Sequence, residues 1–190
     1  YILKILEDNI FNIARTHPAY YVLGQFYGQF TKYSASDQQS LGIALTPFHI
    51  AEFMTNLLQI QSNDVVLDSC CGSASLLLAA GSSAKQCIGV ELNSRMAAMA
   101  LANMIIKNLP SYVWLGNSFD ENIKQEIKAY RPTKLIINPP YSQQDKELAF
   151  VQNGLNLLEQ DGLGAVILPV GAASRREVYT LKEAILKQQS

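Results

Sequence analysis

The chain has 190 residues, 48% hydrophobic and 16% charged, enough apolar material to bury one good core as a globular domain. A formal net charge of -1 excludes a protein that holds nucleic acid by neutralising many phosphates across its own surface. Cys70, Cys71 and Cys87 form no spaced ligand set with the two histidines, so neither zinc nor a disulfide framework is expected, and a reducing cytosol is.

No apolar run approaches the roughly 18 residues of a membrane helix, and no signal-peptide pattern occurs, so no membrane partner is expected. The chain begins at Tyr1 rather than Met, which raises the expectation of a piece of a longer protein. Residues 1 to 16 repeat apolar side chains at Ile2, Ile5, Leu6, Ile10 and Ile13, the stripe of a helix that His17-Pro18 interrupts. Residues 20 to 40 set Tyr20, Tyr21, Phe26, Tyr27, Phe30 and Tyr33 among glycines and polar residues without a clean period. They read as short helices and loops, a lid or a partner surface.

Farther on, "DVVLD" (64–68), "CIGVE" (87–91), "YVWLG" (112–116), "KLIIN" (134–138) and "GAVILPV" (164–170) are short apolar runs rich in β-branched residues. Helical stripes lie between them, such as Met96, Met99, Ala100 and Met104, or Leu148, Val151, Leu155 and Leu158. Five βα units predict an α/β fold with a mostly parallel sheet and helices on both faces. Ligands of such sheets bind at the carboxyl ends of the strands.

The first strand runs into "LDSCCGSASLLLAA", where a small-residue loop brings bare backbone close to a ligand; an ordinary βα turn reads equally well. The second ends at Glu91, 23 positions after Asp68. An acidic residue about 20 residues further on is placed to accept from ribose hydroxyls, which suits an adenosine-type ligand; a helix N-cap is the alternative. No lysine stands in the loop, so it is no triphosphate site. At the third strand end, Asn117 offers an amide to an adenine edge and Phe119 a face to its ring, unless Asn117 and Ser118 simply cap the next helix.

The fourth strand ends in "NPPY". Pro139 and Pro140 stop sheet pairing and fix the direction of their carbonyls. The Asn138 amide oxygen and the Pro139 carbonyl could then both accept from one planar amine while Tyr141 stacks on the attached ring. That equipment turns a poor amine nucleophile into one able to attack an electrophilic methyl group.

With the adenosine-type loop and Glu91 upstream, this motif resembles that of the amino methyltransferases that use S-adenosylmethionine. "LGIALTPFHIAEFM" (41–54) further resembles the T-P-x-x-I-A segment of adenine-specific (N6) DNA methylases, notably the modification subunits of type I restriction-modification systems. The likeness runs from about Leu41 to the C-terminus. It implies a Rossmann-like S-adenosylmethionine-dependent methyltransferase fold, with residues 1–40 as a helical lead-in and 41–190 as the catalytic domain, cut after the fifth strand and its helix.

The resemblance implies that Thr46 touches the methionine end of the cofactor, beside the turn Asp68, Ser69, Cys70 and Gly72. Glu91 would hold the ribose, Asn117 and Ser118 the cofactor adenine, and Asn138, Pro139, Pro140 and Tyr141 a flipped-out target adenine in DNA. It also implies a specificity subunit, and a restriction subunit in some systems, with no metal. Thr46-Pro47 reads besides as a helix N-cap and first-turn proline, with Ile50, Phe53, Met54, Leu57 and Leu58 as the apolar face. The family's turn, D-P-x-x-G-T/S-G, has Ser69 in place of its proline and Ala74 in place of its second glycine, a change expected to cost affinity where that position has positive φ or lies against the ligand. Leu45 replaces an aromatic, and Asn117 stands where aspartate is common. Methylation of protein glutamine or RNA, and a non-catalytic assembly module, are the rival functions.

Overall fold

A computed structural model describes Lys4, residues 46–140 and residues 147–171 of the chain. The expected lead-in over residues 1–40, Leu45 and Tyr141 lie outside the described residues. The elements run α1 (Phe48–Leu58), β1 (Val65–Asp68), α2 (Ser75–Ala80), β2 (Gln86–Glu91), α3 (Ser94–Ile106), β3 (Ser111–Leu115), α4 (Glu121–Ala129), β4 (Lys134–Ile137), α5 (Glu147–Leu155) and β5 (Leu163–Val166).

All neighbouring strands pair parallel, in the order β3-β2-β1-β4-β5. Successive strand residues point to opposite faces, and both faces are buried, so the central strands read as continuous apolar runs. Val66 and Ile136 belong to a core with Ala51, Met54 and Leu58 of α1, Leu77 of α2, and Ala100 and Met104 of α3. On the other face Val65, Leu67, Leu135 and Ile137 pack with Ile127 of α4 and Leu157, next to Phe150 and Leu155 of α5. The layers are thus helix, sheet, helix. The order reverses at β1: β2 and β3 extend the sheet one way, and the chain returns to lay β4 and β5 on the other side. Loops leaving β1 and β4 diverge there, which opens a crevice at the carboxyl edge.

Helix α1 departs from the reading of its sequence in two respects. Pro47, not Thr46, occupies the N-cap position, and no side chain caps the helix. Its buried stripe is Ala51, Met54 and Leu58, whereas Phe53 and Leu57 are 59% and 61% exposed. Two stripes of the same period lie one residue apart here, and the small side chain of Ala51 is the one that lets the helix approach the sheet. Strand β5 is also shorter than the run 164–170 suggested, ending at Val166.

Candidate cofactor and substrate site

A cavity of about 460 Å³ opens at the carboxyl edge. Apart from Phe119, the site residues expected from the sequence and described in the structure line it: Thr46, Asp68, Ser69, Cys70, Gly72 and Glu91. Asn117, Ser118, Asn138, Pro139 and Pro140 complete that set.

The loop after β1 is shaped by its own backbone and by Glu91. Gly72 has φ 55°, and Ala74 follows at φ 69° as the N-cap residue of α2. Glu91 grips this loop through one carboxylate oxygen, which accepts from the Gly72 N–H at 2.9 Å. The other accepts from the Asn93 N–H at 2.7 Å. Glu91 is therefore not a helix cap; that place belongs to Asn93, whose side chain accepts from the N–H groups of Arg95 and Met96. Each Glu91 oxygen has a further lone pair for a ligand hydroxyl. Cys71 tucks against β2, where a Cβ on Gly89 would come within 2.8 Å of the Cys71 Sγ; the glycine gives the loop its seat. Asn103 of α3, fully buried, donates to the Ser73 carbonyl at 3.0 Å and holds the loop from behind.

Ala74 meets the first of the two conditions set for it and not the second. Its φ is positive, the region in which an alanine carries about 1–2 kcal/mol of strain. Its methyl group, however, is wholly buried in the core, and Ala74 is not among the residues lining the cavity. The strain falls on the fold, and the ligand surface is left intact.

Asp68 is 1% exposed and accepts from the Cys70 N–H at 3.1 Å. Burial, and then the nearby charge of Glu91, push its carboxyl up to about 7 against the lowering effect of that N–H. Burial, reinforced by the Asp68 charge, also drives the Cys70 and Cys71 thiols well above their usual range, so neither is a thiolate nucleophile near neutral pH. No lysine or arginine stands among the described lining residues. With Asp68 and Glu91 in its wall, the cavity suits a ligand that carries positive charge.

At the end of β4, the Asn138 Nδ2 donates to the Thr46 Oγ1 at 3.1 Å, and the Cys70 thiol donates to the Asn138 carbonyl at 3.5 Å. The amide oxygen Oδ1 is buried with no hydrogen-bond partner among the described residues, and so is the Ser69 hydroxyl. A buried acceptor left in this state costs roughly 1–3 kcal/mol. Asn138 is thus held on two sides with its acceptor unmet.

The third strand end corrects the sequence reading. The Asn117 Oδ1 is engaged locally by the Phe119 N–H at 3.0 Å, and Asp120 rather than Asn117 or Ser118 caps α4. Phe119 does not line the cavity. Its ring packs edge-on against Phe150 of α5, 4.9 Å between centroids, and Phe150 supplies the aromatic wall. One turn along α5, the buried Asn153 donates to the Ser118 carbonyl at 2.9 Å. Asn103, Phe150 and Asn153 were missed from sequence. The available signal was a polar residue inside an apolar helical stripe, as at Ala100-Asn103-Met104 and Phe150-Asn153.

His49 is exposed, as a surface histidine. Among the described residues no group of His, Cys, Asp and Glu side chains could hold a metal ion, and no helix is long and apolar enough to cross a membrane.

The five-stranded parallel sheet with its flanking helices has the Rossmann-like fold of S-adenosylmethionine-dependent methyltransferases. The sequence matches the family N-6 DNA Methylase over residues 19–147, more than half of the chain, and the chain belongs to that family. It is 30% identical to the type II restriction enzyme and methyltransferase RM.BcgI of Heyndrickxia coagulans, an alignment covering 100% of this chain and 34% of that protein. It is 28% identical to the type I restriction enzyme MjaVIII methylase subunit of Methanocaldococcus jannaschii, over 71% of this chain and 26% of that one. The chain therefore spans about a third or less of these relatives. Among solved structures, a type I restriction-modification methyltransferase subunit from Streptococcus thermophilus superposes with a TM-score of 0.66 at 23% identity, over 75% of this chain and 38% of that one. A modification subunit of a type I restriction enzyme from Vibrio vulnificus gives 0.69 at 18% identity, over 86% and 42%.

Proposed function

We propose that the chain transfers a methyl group from S-adenosylmethionine to the exocyclic amine of adenine in DNA, within a restriction-modification system. One observation carries the reading. At the carboxyl edge of the sheet, the buried Asn138 oxygen is the acceptor a planar amine requires, and its amide nitrogen is already tied to Thr46.

S-adenosylmethionine supplies an electrophilic methyl group on a positively charged sulfur. The residues fit such a group, since Asp68 and Glu91 face a cavity whose described lining holds no lysine or arginine. Glu91 binds the ribose with the lone pairs its two backbone contacts leave over. Phe150 and the exposed Leu92, both in the cavity wall, offer apolar faces to the adenine ring, while Asn117 and Ser118 border its edge. Thr46 and the turn from Asp68 to Gly72 border the amino-acid end. Asn138 Oδ1 and the Pro139 carbonyl accept from the target amine, orient it, and keep electron density on its nitrogen for in-line attack; for Tyr141, outside the described residues, the family resemblance implies stacking on the base. With the thiols kept protonated, transfer is direct.

Choice of DNA sequence belongs to a specificity subunit or a recognition region elsewhere, in keeping with the net charge of -1. A restriction subunit and a cytoplasmic setting go with the same reading. The test is incubation of the full-length protein with methyl-labelled S-adenosylmethionine and, separately, unmodified DNA, RNA and protein. Label recovered as N6-methyladenine in DNA is expected. Label in RNA or in glutamine side chains would replace the substrate, and no label anywhere would favour an assembly module.

A further inference from the structure

We infer that Thr46 decides which end of the Asn138 amide faces the target base, and that it does so only when the amino-acid end of the cofactor is in place. The inference rests on the reading above, in which that end lies beside Thr46.

An asparagine amide has two ends of similar size and opposite hydrogen-bond sense. Only one orientation serves an incoming amine: with Oδ1 toward the base the amine has an acceptor, and with Nδ2 there it meets another donor. The bond between Asn138 Nδ2 and Thr46 Oγ1 selects the productive orientation. The other anchor, the Cys70 thiol, holds the Asn138 main-chain carbonyl and is indifferent to the amide.

Thr46 alone does not settle the matter, because a hydroxyl both donates and accepts. It can accept from Nδ2, as in the structure, or rotate its proton toward Oδ1 of a reversed amide. The bond becomes one-way once a second group accepts a hydrogen bond from the Thr46 hydroxyl. A carboxylate can only accept, so Thr46 would donate its hydroxyl hydrogen bond to the cofactor's carboxylate and remain an acceptor toward Asn138. Reversal of the amide then costs a hydrogen bond at Thr46 and another at the base. Through one hydroxyl, cofactor occupancy prepares the amine site. Thr46 is a positioning residue for Asn138 in addition to a cofactor contact.

The test uses the full-length protein and reads DNA binding rather than turnover. Affinity is measured for duplexes carrying adenine, or purine without the exocyclic amine, at the target position. Each protein is saturated with S-adenosylhomocysteine, which has the carboxylate, or with 5′-methylthioadenosine, which lacks it. For the unmodified protein, about tenfold preference for adenine is expected with S-adenosylhomocysteine and almost none with methylthioadenosine. Thr46→Val should lose the preference with both. Thr46→Ser, which keeps the hydroxyl, should restore it. Asn138→Asp, whose carboxylate has two equivalent ends, should not depend on which nucleoside is bound. Equal preference with both nucleosides in the unmodified protein, or preference retained in Thr46→Val, would overturn the inference. Failure of the underlying reading looks different: S-adenosylhomocysteine would not bind at all.

Discussion

The two ends of β1 carry two aspartates with opposite fates. Asp64, at the amino edge, is 8% exposed and has both oxygens engaged: one accepts from the Thr133 hydroxyl at 2.7 Å, the other from the Gln61 N–H at 2.8 Å. It ties the start of β1 to β4. Asp68, four residues on, is more deeply buried yet accepts from a single N–H, lies near a second carboxylate, and is pushed up to about 7. In the same cavity wall stand the Asn138 oxygen and the Ser69 hydroxyl, which have no hydrogen-bond partner among the described residues. At one edge polar groups are spent on holding strands together; at the other they are held in position and left unsatisfied. A fold keeps groups in that costly state where a ligand is to complete them.

The largest expected effect breaks the carboxyl edge at its unmet acceptor. Asn138→Ala in the full-length protein should lower single-turnover methyl transfer about a hundredfold or more, with cofactor affinity changed less than about twofold. Stopped-time transfer at saturating cofactor, with a parallel binding titration, separates the two. Glu91→Gln should do the reverse: an amide nitrogen cannot accept, so one backbone contact and the ribose site both suffer. Cofactor affinity is expected to weaken about 10- to 100-fold.

The aspartates themselves supply the next test, read by urea denaturation across pH. In the unfolded chain Asp68 ionises near its ordinary 3.8, and in the folded chain near 7. Between those values the unfolded state releases its proton first, so stability falls as pH rises from about 4 to 7, by up to about 1.4 kcal/mol per pH unit, and then levels off. Asp68→Asn should remove that decline and be more stable than the unmodified protein at pH 8. Asp64→Asn should instead lose about 1–2 kcal/mol, because its amide nitrogen cannot replace an acceptor. The smallest effect concerns Asn153, which touches no ligand. Asn153→Leu should raise the KM for cofactor several-fold through the loosened Ser118 loop while leaving kcat within about twofold.

Much of this edge was legible in the sequence because strand ends are. β-branched runs marked the carboxyl ends of β1 to β4 to within about a residue, while β5 ends four residues short of its run, and in a parallel sheet the residues after each run must converge on one edge. Asp68, Glu91, Asn117 and Asn138 followed from that alone. Strand order did not, since local patterning does not say on which side of β1 the chain returns. The face of α1 was hidden by two adjacent stripes of equal period. Exchange of Phe119 for Phe150 as cavity wall, and the release of Thr46 from capping to hold Asn138, depend on contacts 31 and 92 residues apart, beyond any local pattern. Asn103 and Asn153 were visible as polar intrusions into apolar stripes, yet their partners, the carbonyls of Ser73 and Ser118, were not.

In the proposed division of the cavity, its cofactor side binds S-adenosylmethionine and Asn138 is left for the substrate. A calorimetric titration of the full-length protein with S-adenosylmethionine, repeated on Glu91→Gln and Asn138→Ala, tests it most directly. The expected result is binding that weakens at least tenfold in Glu91→Gln and is nearly unchanged in Asn138→Ala. Absence of binding to the unmodified protein, or equal losses in the two variants, would contradict it.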